Sequence, residues 1–174
     1  MFLSKLSNSP TLEGDKSGKK RLKRKFLVIG DEWKKGAVGT LYRQGYLNSA
    51  KERTVRIRTI DDKAFLTIKG LTVSCTRLEF EYPIPHADCV KMLDDLAEKP
   101  IIEKTRYKIP AGNGLTWEID EFHGVNEGLV VAEIELPSEE TPFEKPAWLG
   151  EEVSSDPRYF NSNLVAHPFT TWDK

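Results

Sequence analysis

A chain of 174 residues, 39% hydrophobic and 30% charged, is long enough to bury the core of one domain and carries more charge than an average soluble protein. Its 26 basic residues nearly cancel its 27 acidic ones, and a net charge of -1 excludes the global field that gathers nucleic acid or an anionic membrane. The absence of any apolar run of membrane-spanning length leads us to expect a cytoplasmic protein, and Cys75 and Cys89 lack the count and spacing of a disulfide framework or a zinc site.

Residues 1–20 are rich in Ser, Asn, Pro, Gly, Asp and Lys without apolar periodicity, and read as a flexible tail ahead of a domain over 21–174. The basic run Lys19 to Lys25 resembles a nucleic-acid patch. It continues directly into Phe26-Leu27-Val28, however, so we read it as the entry to a strand and expect no nucleic-acid partner.

From there, short segments rich in Val, Ile, Phe, Tyr and Thr alternate with period two. They predict strands near 22–29, 41–48, 54–60, 63–69, 76–84, 102–109, 115–122 and 129–136. Between the fifth and sixth, Val90, Leu93, Leu96 and Ala97 recur behind Pro85 at the spacing of an amphipathic helix over 86–98. After Glu135 the chain passes Pro137, Pro142, Pro146 and Pro157, and 157–166 predicts a short helix that packs Tyr159, Phe160 and Leu164 against one end of the sheet. His86, His123 and His167 lack ligand spacing and read as cap, turn and surface residues, whereas Trp117, Trp148 and Trp172 read as packing residues.

Because side chains alternate across a strand, residues two apart share a face. Arg56 and Arg58 thus oppose Val55 and Ile57, and Arg77, Glu79 and Glu81 oppose Leu78, Phe80 and Tyr82. Lys104, Arg106 and Lys108 share a face, as do Glu118 with Asp120 and Glu133 with Glu135. Alternation alone fits an ordinary sheet with one solvated side. Charges of one sign grouped on a strand repel one another, and that grouping suits a polyanion with divalent cations held inside a barrel.

Several segments carry a family likeness. Arg24-Lys25-Phe26-Leu27-Val28, Gln44-Gly45-Tyr46-Leu47, Val55-Arg56-Ile57-Arg58, Leu66-Thr67-Ile68-Lys69 and Arg77-Leu78-Glu79-Phe80-Glu81 resemble, in order, the strand motifs of the CYTH superfamily, the triphosphate tunnel metalloenzymes. Glu103-Lys104-Thr105-Arg106-Tyr107, Trp117-Glu118-Ile119-Asp120, Ala132-Glu133-Ile134-Glu135 and Gly150 to Tyr159 extend the resemblance over about residues 21–168, with the small bacterial single-domain members as the best match.

The resemblance implies a mainly β, α+β fold: a closed eight-stranded antiparallel β-barrel, the triphosphate tunnel, with a few flanking helices. It implies hydrolysis of inorganic or nucleoside triphosphate with Mg²⁺ or Mn²⁺, and a possible homodimer. Lys25, Arg56, Arg58, Lys69, Arg77, Lys104 and Arg106 would bind the triphosphate, Asp120, Glu133 and Glu135 the metal, with Glu79 and Glu81 in support. Lys25 and Tyr46 match the pair proposed in some members to activate water, although Tyr46 fits a core aromatic equally.

One departure is clear. The family's first-strand signature E-x-E-x-K here reads Arg21-Leu22-Lys23-Arg24-Lys25, so cations stand where two carboxylates are expected. The alternatives are a polyphosphate-binding protein with impaired catalysis, an enzyme that recruits metal through Asp120, Glu133 and Glu135 alone, or a chain altered from its natural sequence. Adenylate cyclase activity, also found in the family, is a minor alternative, as no adenine pocket is recognisable.

Overall fold

In the computed structural model, residues 22–71 and 78–173 are described; the tail reading of residues 1–20, and Arg21, Cys75 and Arg77, lie outside them. The elements in chain order are β1 (Leu22–Val28), β2 (Gly39–Asn48), β3 (Arg53–Ile60), β4 (Lys63–Gly70), β5 (Glu79–Pro83), α1 (His86–Asp95), β6 (Ile102–Gly112), β7 (Leu115–Phe122), β8 (Val130–Leu136), β9 (Leu149–Glu152) and α2 (Asn161–Ala166). All strand pairings are antiparallel, in the order β5-β4-β3-β2-β6-β7-β8-β1-β9.

The expected eight-stranded closed barrel is therefore corrected: the sheet has nine strands, and among the described residues β5 and β9 are its edges. The additional strand, Leu149-Gly150-Glu151-Glu152, is too short to display an alternation. It docks on β1 at Phe26 and Val28 across an irregular register, and a Cβ at Gly150 would lie only 3.0 Å from the Leu27 carbonyl oxygen. The absent side chain is what lets the two backbones approach.

Two apolar clusters cover the outer face. Cys89, Leu93 and Ala97 bring α1 onto Ile57 of β3 and Ala64 of β4, and full burial of a residue such as Leu93 contributes roughly 1.5–3 kcal/mol. Of the helical stripe, Leu96 is instead exposed, since the regular helix ends at Asp95. The second cluster joins Phe26, Trp117, Ile119 and Ile134 to Trp33 and, at its margin, Phe143 and Trp148; Trp117 meets Phe26, Phe143 and Trp148 edge to face.

The third cluster lies on the other face, at one end. Ile102, Phe122 and Val131 there receive Leu164 of α2, flanked by Tyr159, Phe169 and Trp172. The C-terminal segment thus closes this end as expected, but as a 3-10 turn at Pro157–Tyr159 followed by α2, and with Phe160 still 39% exposed. It spans the concave side of the sheet: Phe160 lies 5.5 Å beneath the Lys25 ammonium of β1, while Ser162 lines a cavity with Tyr46, Arg56 and Lys69 of β2, β3 and β4.

Candidate functional site

Strand register places almost every predicted side chain on that concave face. Across β2 and β3, Tyr46 pairs with Arg56 and Gln44 with Arg58, while Gly45 and Ile57 turn outward beneath α1. Arg56 pairs with Thr67 of β4, and Glu81 of β5 lies beyond it. On the other wing, Lys104 faces Tyr42, Arg106 faces Asp120, Glu118 faces Glu133, and Glu133 faces Lys25.

Charges of like sign share a strand, and cations face carboxylates across β4–β5, β6–β7 and β1–β8, whereas two carboxylates, Glu118 and Glu133, face each other across β7–β8. The β5–β3 wing joins Glu81 to Arg58 at 3.1 Å and Glu79 to Lys69 at 3.1 Å, and Thr67 Oγ1 accepts from Arg56 and donates to Glu81. On the β6–β1 wing, Asp120 accepts from Lys104 at 2.6 Å and from Arg106 Nε at 2.6 Å, and Arg106 also reaches Glu118 at 2.5 Å. Glu133 accepts from Lys23 at 2.7 Å and lies 3.4 Å from Lys25. Interleaving of sign, not solvent, relieves the like-charge repulsion along each strand.

Three donors stay unmatched. Among the described residues, Arg56 Nε, Arg58 Nε and Gln44 Nε2 are buried without a hydrogen-bond partner. A buried orphan donor costs about 1–3 kcal/mol, so an acceptor is wanted at this spot. Burial and the adjacent Arg58 both lower the Arg56 pKa, a local surplus of positive charge. Next to it opens a cavity of 380 Å³ lined by Tyr46, Ser49, Lys51, Arg56, Lys69 and Ser162. Burial raises the Tyr46 phenol pKa against the pull of Arg56, which keeps its O–H a donor.

The acidic residues divide into two kinds. Burial pushes the Asp120 carboxyl up, but Lys104 and Arg106 outweigh it and hold the group at about 2, with both oxygens engaged. Glu118, Glu133 and Glu135 instead open on a 460 Å³ cavity. Burial likewise opposes, and Lys23 and Lys25 overcome, a rise at Glu133, which is lowered. No three His, Cys, Asp or Glu side chains among the described residues converge to enclose an ion by themselves. The donors at this cavity are nonetheless hard carboxylate oxygens, which suit a hard cation bringing its remaining ligands with it.

Of the predicted site residues, Lys25, Tyr46, Arg56, Arg58, Lys69, Lys104, Arg106, Asp120, Glu133, Glu135, Glu79 and Glu81 sit on strands of this sheet with the partners described. Lys25 and Tyr46 stand on different walls, Lys25 beside Glu133 and Tyr46 beside Arg56. Arg77 lies outside the described residues. The sequence put Glu118 on the charged face with Asp120 and Gln44 in one motif with Tyr46, but gave neither a role at the site. It also gave no hint that Lys104 is only 2% exposed.

The CYTH domain family model matches residues 17–168. An inorganic triphosphatase of Acetivibrio thermocellus is 53% identical over 150 residues, covering 86% of this chain and 96% of that protein. One from Nitrosomonas europaea is 34% identical over 148 residues, covering 83% and 95%. The crystal structure of an inorganic triphosphatase superposes with a TM-score of 0.65 at 33% identity, covering 83% of this chain and 93% of that one.

Proposed function

The chain belongs to the CYTH domain family, and from that premise we propose that it hydrolyses inorganic triphosphate, or a nucleoside triphosphate, on the concave face of its sheet with the help of Mg²⁺ or Mn²⁺. The observation that carries the reading is the pair Arg56 and Arg58, whose buried Nε donors have no acceptor within the described residues. A phosphoryl oxygen supplies that acceptor, and charge-assisted bonds to arginine are short and strong. The triphosphatases named above, which the chain matches over most of their length, support the substrate class.

Arg56, Arg58 and Lys69 bind one end of the phosphate chain, and Tyr46 donates its O–H there. Arg106 reaches the other end, its planar group fixed from behind by Asp120 and Glu118. Lys104, buried beneath, contributes charge through Asp120 rather than a direct contact. Arg77 is assigned to the same phosphate-binding set by family resemblance. Glu79 and Glu81 hold Lys69 and the arginines in place. By family resemblance Lys25, beside Glu133, shares with Tyr46 the positioning of the attacking water, to which its ammonium donates.

A divalent ion would be held by Glu133 and Glu135, with Glu118 beside them and Asp120 in the second rank, and when bound it supplies charge neutralisation of the phosphoryl oxygens. We place the protein in the cytoplasm, as a homodimer by family resemblance; no helix among the described residues is long and apolar enough to cross a membrane.

Phosphate release from tripolyphosphate, ATP and thiamine triphosphate with each metal tests this directly, and release from none of them overturns it. A second reading, capture of polyphosphate without turnover, is favoured by one observation: the Lys23 ammonium lies between Glu133 and Glu135. Calorimetric binding of tripolyphosphate with no phosphate release would select it.

A further inference from the structure

Lys23 is 2.7 Å from Glu133 and 3.9 Å from Glu135, at the rim of the cavity that Glu118 also lines. A second lysine, Lys25, lies 3.4 Å from the other oxygen of Glu133. Glu133 and Glu118 are directly opposite across β8 and β7, a like-charge pair that needs a cation nearby. The chain itself supplies the positive charge: Arg106 at Glu118, and at Glu133 the Lys23 ammonium on a flexible and half-exposed stem.

We infer that Lys23 is a tethered cation: its ammonium holds the place of a divalent ion between Glu133 and Glu135 and keeps free divalent ions out of the carboxylate cavity. A free ion would have to displace the ammonium and meet its repulsion and that of Lys25. An ion that arrives already bound to phosphate brings negative ligands that compensate both lysines. The substrate-free protein therefore binds divalent ions poorly, and its grip on the phosphate chain does not depend on them. The inference rests on the proposed triphosphate site for its consequence but not for its measurement.

The test is Mn²⁺ binding to the substrate-free protein, read by electron paramagnetic resonance, in wild type, Lys23→Met and Lys108→Met. Lys108 is the control: it lies 3.6 Å from Glu118 on the same rim and is similarly exposed, but is not between Glu133 and Glu135. Lys23→Met should bind Mn²⁺ about tenfold more tightly than wild type, and Lys108→Met should stay within about twofold. Equal affinities of wild type and Lys23→Met, or equal gains in both variants, overturn the inference.

Calorimetry with tripolyphosphate in EDTA gives the second readout. Wild type should bind, and Lys23→Met should bind about fivefold more weakly until Mg²⁺ restores it. Binding by wild type only when metal is added also overturns the inference. Absence of tripolyphosphate binding under every condition would instead sink the triphosphate site, leaving the Mn²⁺ comparison to stand alone.

Discussion

The Lys104 ammonium donates to Asp120 at 2.6 Å, and both side chains are almost fully removed from solvent on adjacent strands β6 and β7. Arg106 closes the same carboxylate from the other side through Nε and Nη2. One acid thus balances two cations within a low-dielectric wall, and removing it leaves Lys104 without its carboxylate and Arg106 with Glu118 alone. Asp120→Asn should lower unfolding stability by about 3 kcal/mol, measured by urea denaturation. Adding Lys104→Met should return about 1–2 kcal/mol of that loss, because the two side chains share one interaction.

The same carboxylate fixes an acid limit. Its folded pKa of about 2 lies below its ordinary value of 3.8, so its contribution is complete above the ordinary value and is lost as pH falls through the folded one. The gap corresponds to about 2 kcal/mol. Glu152, held at about 2 by hydrogen bonds from Arg24, adds in the same window, to a smaller extent because it is partly in solvent. The urea midpoint should therefore be level from about pH 7 to 5 and fall between about pH 4 and 2. Asp120→Asn should show a shallower fall; an equal fall would remove Asp120 from the account.

How much of this was legible in the sequence follows from the range of each signal. Period-two alternation is local, so it placed Arg56, Arg58, Arg106, Asp120 and Glu133 on one face, where the strands hold them. Which strands adjoin is not local. The pairing of Glu118 with Glu133, and the uncharged Tyr42, Gln44 and Tyr46 of β2 between the arginines of β3 and β6, emerge only from the order of the sheet. β9 carries four residues, one of them a glycine, too little pattern to register, and without it the edges and the absence of closure among the described residues are not visible. Lys23 was legible as a departure from a family signature. That it lies between two glutamates depends on the β1–β8 register.

Gly45 offers a packing test on the face opposite the site. A Cβ there would lie 3.2 Å from Leu93 Cδ2 of α1, and 2.9 Å from Ala97 Cβ and 3.2 Å from Ile101 Cγ2 in the segment that follows the helix. Gly45→Val should cost about 1–3 kcal/mol by pushing the helix off β2 and β3. Thermal unfolding measures it, and a loss under about 0.5 kcal/mol would mean that α1 is not seated against this strand.

Arg58 separates binding from stability. Its pair with Glu81 is partly solvent-exposed and its Nε has no partner, so Arg58→Met should change stability by less than about 1 kcal/mol. Tripolyphosphate affinity should fall about twentyfold, as a charge-assisted bond is worth roughly 1.5–3 kcal/mol. Arg58→Lys should recover only part, since an ammonium cannot make the planar two-point contact. Calorimetry checks both, and full recovery with lysine would reduce the role of Arg58 to charge alone.

Tyr46 decides between a donor and a base. Burial raises its phenol pKa further than the Arg56 charge lowers it, so the hydroxyl keeps its proton where a general base must lose one. A donor to phosphate contributes throughout the pH range, whereas a phenolate contributes only as the solution becomes alkaline. Tyr46→Phe should therefore lower phosphate release from tripolyphosphate by about tenfold at every pH from about 7 to 9, with the shape of the rate profile unchanged. If wild type shows an alkaline rise that Tyr46→Phe lacks, the phenolate is the base and Lys25 is left as a phosphate ligand beside Glu133.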